Sequence, residues 1–383
     1  MSNTSNDLLS TAENGQPLVR IGSAAAVAAI APQLLGFRPR ESLVLTFFDE
    51  HARLQLASRM DLPIIEGAEH DAVGDLFDLA HRSCWRAVHI AVVSDAASVP
   101  SPLIKALRWL ASQGRLDILG CGLVRSGRWL SIEPNGELTE PGESLSDGSA
   151  LAATSQLVLA GRSFVADREA FVQQVRGSEP GSDEIARILT DPAAPWVTIS
   201  ASGRKSSRAR LMVEDAIVGY LMGDGGQPDP ATAAQWIAAF SDSRVREAVL
   251  WRLSPAAPDH TVGVSQDTVT EALGWLVRAA PTSWSGPVAS SLAALAWQGG
   301  DGVLAGVAAD YALECDPANR LADLVALALN RGAPPTIWID LMRSMTLGEL
   351  RTSRAGSRVR PASKAGIAPA ATAPPDLESR AAS

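Results

Sequence analysis

The chain has 383 residues, 46% of them apolar and 20% charged, with a formal net charge of −9. That length suits two or three domains, and the negative balance excludes a general nucleic-acid coat. Three scattered cysteines, Cys84, Cys121 and Cys315, exclude a disulfide framework and fit a reducing cytosol, and no apolar run reaches the length of a membrane-spanning helix.

In chain order, residues 1–17 form a polar arm, expected to be disordered. The apolar segment Ile21–Leu35 follows a polar stretch that holds Asp7 and Glu13 and no lysine-rich start, so it is not read as a secretion signal. A cytoplasmic location is expected. Ser23 can cap a helix over Ala24–Ile30, which Pro32 and Gly36 should end. "SLVLTFF" (Ser42–Phe48) is a continuous apolar run of strand length, hence a strand covered on both faces. After the turn "DEHA", "RLQLASRM" (Arg53–Met60) sets Leu54, Leu56, Ser58 and Met60 on one face of a second strand. The short turn makes the pair an antiparallel hairpin.

A helix follows, with Val73, Leu76, Phe77 and Ala80 at helical spacing, then a third strand, "AVHIAVVS" (Ala87–Ser94). "SPLIKALRWLASQG" reads as a helix with Ser101 as cap, Pro102 at its first position and Gly114 as its stop. "LDILGCGLV" and "GRWLSIE" form a further strand pair around Ser126-Gly127. Residues 18–133 are thus expected to be a three-layer α/β domain with a mixed sheet and antiparallel hairpins. Residues 134–150, Pro/Gly/Ser-rich and acidic without periodicity, read as a linker. Residues 151–343 carry helical stripes and no strand signal, hence an all-α domain; "ATAAQWIAAFSDSRVREAVLWRL" is one of its helical segments. Residues 344–383, rich in Ala, Pro, Ser and Arg, are expected to be a disordered tail. That tail holds five basic and no acidic residues from Arg351 to Lys364, so taking +5 from −9 leaves about −14 on the rest.

Near the end of the helical part, Leu292, Ala293, Ala305, Ala312 and Pro317 fall where a tetratricopeptide repeat places its apolar, small and closing residues. Alanines at 289, 296 and 309 stand where that repeat has large side chains. An ordinary αα-hairpin is the plainer alternative; either kind of helical pair most often binds proteins. His81, Cys84 and His89 have partial metal-ligand spacing but lack a fourth ligand, so no metal site is expected. No cofactor motif is present either. The glycine-rich "GDGGQPDP" (Gly223–Pro230) and "GGDG" (Gly299–Gly302) do not lead from a strand into a helix, and read as helix–helix turns. "SGRKSSRAR" (Ser202–Arg210) reads as a solvated basic run. Of ten tryptophans, Trp109, Trp236, Trp275 and Trp297 lie on apolar stripes and read as core, while Trp338 could cap the domain.

The first hairpin carries the candidate site. With the turn centred near Asp49–His51, cross-strand partners sum to about 101. Ser42 then faces Arg59 and Arg40 faces Asp61, gathering Arg38, Arg40, Glu41, Ser42, Arg59 and Asp61 at one end, with Phe37 as a plug. Two readings stay open: a corner held by Arg–Asp and Arg–Glu pairs, or a ligand-binding site for an anionic small molecule formed by Arg38, Arg40, Ser42, Arg59 and Asp61.

The strings "LLGFRPRESLVL", "RMDLP", "RSGRWLSI", "LAGRSFVADREAF" and "CDPANRLADLVALAL", in this order, resemble an uncharacterised actinobacterial family, domain-of-unknown-function family 4192. The likeness covers roughly Leu18 to Trp338. Gly36, Phe37, Pro39, Ser42, Leu43, Arg59, Asp61, Leu62 and Pro63 match its first signature, and Gly127, Arg128 and Trp129 its middle one. The resemblance implies a cytoplasmic actinobacterial protein and no particular activity. The expectation is a non-catalytic regulatory or scaffolding module that binds an unknown protein partner through its helical half. The alternative is a small-molecule or nucleotide-binding enzyme with its anion site at the hairpin end. Nucleic acid could meet only the basic tail, and no membrane partner is expected.

Overall fold

The structure, a computed structural model, describes residues 22–62, 69–96, 98–159, 164–191, 204–223, 226–254, 265–333 and 335–352. The polar arm and residues 353–383 of the tail lie outside them.

Helix α1 (Ala24–Leu35) starts where Ser23 accepts a hydrogen bond from the Ala26 amide and ends at Gly36, whose φ of +74° closes it in the left-handed region. It runs straight through Pro32, a correction to the expected stop. Proline there forfeits one backbone hydrogen bond. Ala25, Ala28, Ala31 and Leu35 face one core, and Ala26 and Ile30 a second; packing on both sides outweighs the loss.

Strands β1 (Ser42–Phe48), β2 (Leu54–Asp61), β3 (Ala87–Val93), β4 (Asp117–Arg125), β5 (Arg128–Ser131) and β6 (Glu143–Ser144) form one sheet in the order β2-β1-β3-β4-β5-β6. Only β3 and β4 run parallel, joined through α3 (Ser101–Gln113). β1 is buried at every position. Leu43, Leu45 and Phe47 pack with Val73 and Phe77 of α2 (Glu69–Arg82) and Leu103 and Leu107 of α3. Val44 and Ala91 turn to the opposite face, in one cluster with α1. The expected three layers and mixed sheet are therefore present, followed by a helical region.

The segment read as a linker or long loop carries a short strand. β6 pairs Glu143 with Trp129 and Ser144 with Arg128, and Arg125 binds Glu140 at 2.8 Å. Non-periodic polar sequence conceals a two-residue edge strand because its partners lie elsewhere in the chain. Helix α4 (Gly148–Leu159) then packs Ala150, Ala153 and Leu157 on Ala26 and Ile30 of α1, so it completes the α/β layer.

The helical region holds α5 (Arg168–Arg176), α6 (Ser182–Leu189), α7 (Arg204–Leu221), α8 (Pro230–Phe240), α9 (Ser243–Leu253), α10 (Gln266–Ala279), α11 (Thr282–Gln298), α12 (Gly302–Cys315), α13 (Arg320–Asn330), α14 (Thr336–Arg343) and α15 (Leu347–Thr352). The stretch 231–253 is two helices, not one: Asp242 caps α9 through the Arg244 amide and binds its guanidinium as well. The tail also begins later than expected. Leu350 on α15 is buried, and Arg351 grips the buried carboxylate of Glu214 with two hydrogen bonds, at 2.6 and 3.0 Å. Trp109, expected in the core, is 52% exposed on α3.

Candidate functional site at one end of the sheet

The carboxyl ends of β3 and β4 and the amino end of β1 lie side by side, because Ser42 pairs with Val93 and Val93 with Val124. In open α/β sheets this end is where ligands gather. The loop before β1 closes over it.

The hairpin register differs from the sequence expectation. Ser42 pairs with Asp61 and Val44 with Arg59, a sum of 103. The turn is wider than assumed, and the register slips between Phe47 and Phe48, where Gln55 is the extra residue of a bulge. A displacement of two keeps each side chain on its expected face, so part of the cluster still forms. The Ser42 hydroxyl, fully buried, donates to the Arg40 carbonyl at 2.6 Å and accepts from Arg59 Nε at 2.8 Å. Arg59 also pairs with Asp61, which is open to solvent.

Glu41 adopts φ +38°, left-handed for a non-glycine residue. Its carbonyl accepts the Leu62 amide at 2.8 Å, and its carboxylate accepts the Ser94 hydroxyl at 2.8 Å and the Asp95 amide at 3.2 Å. Ser94, Asp95 and Arg125 were not singled out from sequence. Their signal was position, at the ends of β3 and β4.

Arg38 does not join this cluster. Its guanidinium lies 5.7 Å from the Phe164 ring centroid. Its amide donates to the Val165 carbonyl at 3.1 Å, and the Val165 amide donates to the Gly36 carbonyl at 3.0 Å. Phe37 is buried against Phe171, with ring centroids 5.8 Å apart. A Cβ at Gly36 would stand 2.6 Å from the Phe171 ring, so glycine serves both the turn and the close approach. The strings "LLGFRP" and "FVADREAF" thus meet as a seam between the sheet and the helical region.

At the hairpin end Arg59, Glu41 and Arg125 are engaged inside the chain, and Arg40 is exposed. Two clefts among the described residues lie elsewhere. One, of about 130 Å³, is lined by Arg168, Arg176, Val307 and Asp310; the other, of about 370 Å³, by Glu179, Ile185, Gln227 and Trp275.

Among the described residues no group of three His, Cys, Asp or Glu side chains is placed to hold a metal. His89 is buried on the α1 face of the sheet, while His81 and Cys84 are exposed at the end of α2. Asp229 and Asp301 cap α8 and α12 out of the two glycine-rich segments. In the basic run, Arg210 is buried beside Asp242 at 3.9 Å rather than solvated. Trp338 packs edge-on to Trp297 at 6.2 Å. No helix among the described residues is long and apolar enough to cross a membrane.

One family model, described as a domain of unknown function, matches residues 25–336. No curated protein and no solved structure matches the chain.

Proposed function

The chain belongs to the DUF4192 family, whose description carries no activity, and from that premise we propose that it is a non-catalytic cytoplasmic scaffolding or regulatory module. Its helical end binds an amphipathic helix of a protein partner. The observation that carries this reading is the exposed apolar side chains of α13 and α14. Leu324 and Leu327, at i and i+3, and Ile337 and Leu341, at i and i+4, are exposed, while Ala322, Val325 and Met342 on the same helices are buried. Arg320, Asp323, Asp340 and Arg343 lie on the same two helices, the mixed-charge rim of a protein interface. The preceding α11–α12 hairpin supports the reading. Ala293, Ala305 and Ala312 are fully buried, and we read the hairpin as tetratricopeptide-like.

The test is affinity purification of the full chain from its host, in parallel with a Leu324→Glu/Ile337→Glu variant. A partner retained by the wild type and lost by the variant is expected. No reproducible partner, or one held equally by both, sinks the reading.

The second reading is a small-molecule or nucleotide-binding enzyme with an anion site at the hairpin end. Its support is the left-handed Glu41 beside exposed Arg40 at the carboxyl end of the parallel strands. It requires phosphate to raise the melting temperature of the wild type and not of Arg40→Glu.

A further inference from the structure

The cleft of about 130 Å³ lies between α5 and α12 and is lined by Arg168, Glu169, Val172, Arg176, Val307 and Asp310. Its walls follow from helical spacing. Arg168, Val172 and Arg176 stand four residues apart on α5, and Val307 and Asp310 three apart on α12, so each set shares one stripe.

The charged groups differ in how they are engaged. Arg176 is held: its Nη2 donates to Glu314 at 2.5 Å, and its guanidinium lies 5.6 Å from the Tyr311 ring centroid. Its Nε is buried and has no hydrogen-bond partner. Glu169 accepts from Gln173 at 2.8 Å. Arg168 and Asp310 are exposed, and neither side chain has a hydrogen bond or ion pair among the described residues. Both still sense the cleft: partial burial raises the Asp310 carboxyl above its usual range, and Arg168 is the first charge that opposes the rise.

This lining selects a class of ligand. Two guanidiniums against two carboxylates leave it without net charge. A lone anion would meet the carboxylates and a lone cation the guanidiniums, whereas a molecule with both charges a few bonds apart satisfies both sides. The volume is below the ~300 Å³ of a small cofactor pocket, which leaves out nucleotides. Val172 and Val307 give an apolar wall for a short side chain.

We propose that the cleft between α5 and α12 binds a small free α-amino acid, with its carboxylate on Arg168 and Arg176 and its ammonium on Asp310. Guanidinium donors suit the carboxylate. Phe171, next to Val172 on α5, packs against Phe37, so an occupant that bridges α5 and α12 also braces the seam. The site is separate from the exposed side chains of α13 and α14 and from the hairpin end, and its failure leaves both readings above standing.

Isothermal titration calorimetry of the full chain with glycine, L-alanine, L-serine and L-valine tests this, with acetate and methylammonium as half-ligands. At least one amino acid should bind with equimolar stoichiometry, and neither half-ligand should bind. Asp310→Asn removes the ammonium partner and Arg168→Gln a carboxylate partner; each should weaken that binding about tenfold or more. Both residues are exposed, so both variants should keep the wild-type circular dichroism. No binding of any of the four amino acids at about 10 mM, acetate or methylammonium binding as tightly as they do, or an affinity unchanged in either variant overturns the proposal.

Discussion

His89 is the residue whose environment has the most measurable consequence. It sits on β3 opposite Gly120 of β4, stacked on Trp129 with centroids 4.8 Å apart. A Cβ at Gly120 would stand 2.6 Å from Ala24 and 2.9 Å from the imidazole, and one at Gly122 would stand 2.5 Å from the Trp129 ring. The "GCG" of β4 thus makes room for the stacked rings beneath α1. Nε2 lies 2.9 Å from the Ala24 carbonyl. A carbonyl only accepts, so Nε2 carries the proton of the neutral ring. Burial lowers the imidazole pKa to about 4, with the Ala24 hydrogen bond opposing. The unfolded chain therefore binds this proton at a higher pH than the folded one. Stability from this group is complete above about 6.5 and falls as pH drops toward 4, by roughly 3 kcal/mol. Urea midpoints at pH 7 and pH 4.5 should differ less in His89→Gln than in the wild type; equal slopes would refute this account.

At the scale of elements, helix ends and neighbours decided what periodicity could not. α15 has six residues and lies in a stretch whose composition reads as disordered. It holds because partners distant in sequence receive it. Arg351 meets Glu214 of α7, Glu214 is shared with Arg252 of α9, and the Trp251 indole donates to the Met342 and Met345 carbonyls. Removing Arg351 leaves a buried carboxylate with Arg252 as its remaining ion partner among the described residues, at a cost of about 1–3 kcal/mol. Arg351→Ala should lower the melting temperature in calorimetry, and Arg351→Lys should recover only part of it because ammonium cannot form the two-pronged pair. An unchanged melting temperature for Arg351→Ala would show the helix end to be idle. In α1 the same competition runs the other way, since packing carries the helix past Pro32. At Asp242 a capping carboxylate ends one helix and begins another inside a continuous apolar stripe.

For the whole molecule the main finding is continuity. One apolar cluster includes Ala25, Leu35, Phe37, Val44 and Trp129 from the sheet side and Phe171, Val172, Val213 and Leu292 from the helical side. The glycine turn after α13 also approaches the α/β part, where a Cβ at Gly332 would fall within 1.8 Å of Leu79 of α2. Two regions sharing a core unfold together. Tryptophan fluorescence and far-ultraviolet circular dichroism should therefore give coincident urea transitions. Phe171→Ala, opening the seam beneath Gly36 and Phe37, should lower stability by about 3–5 kcal/mol while keeping a single transition. Two separated transitions would show independent domains instead.

The sequence by itself determined the class of each region. The apolar run of β1, the Ser126-Gly127 turn and the apolar spacing of α3 sufficed for a mixed α/β sheet followed by helices, because burial and turn chemistry act over a few residues; the cap expected at Ser101 is absent, since Ser101 is the first residue of α3 and Pro100 stands at its N-cap with no side-chain hydrogen bond. It also placed Ser42, Arg59 and Asp61 at one hairpin end, since a register error of two preserves the face. Tertiary structure alone decided that Arg38 turns to Phe164, that Ser94, Asp95 and Arg125 complete that end, and that "LLGFRP" is a seam against "FVADREAF". The Glu41–Ser94, Arg38–Phe164 and Phe37–Phe171 contacts join residues more than fifty positions apart, and no local spacing encodes them. Whether an arginine is an ion-pair partner or an open ligand depends on which carboxylate the fold brings beside it.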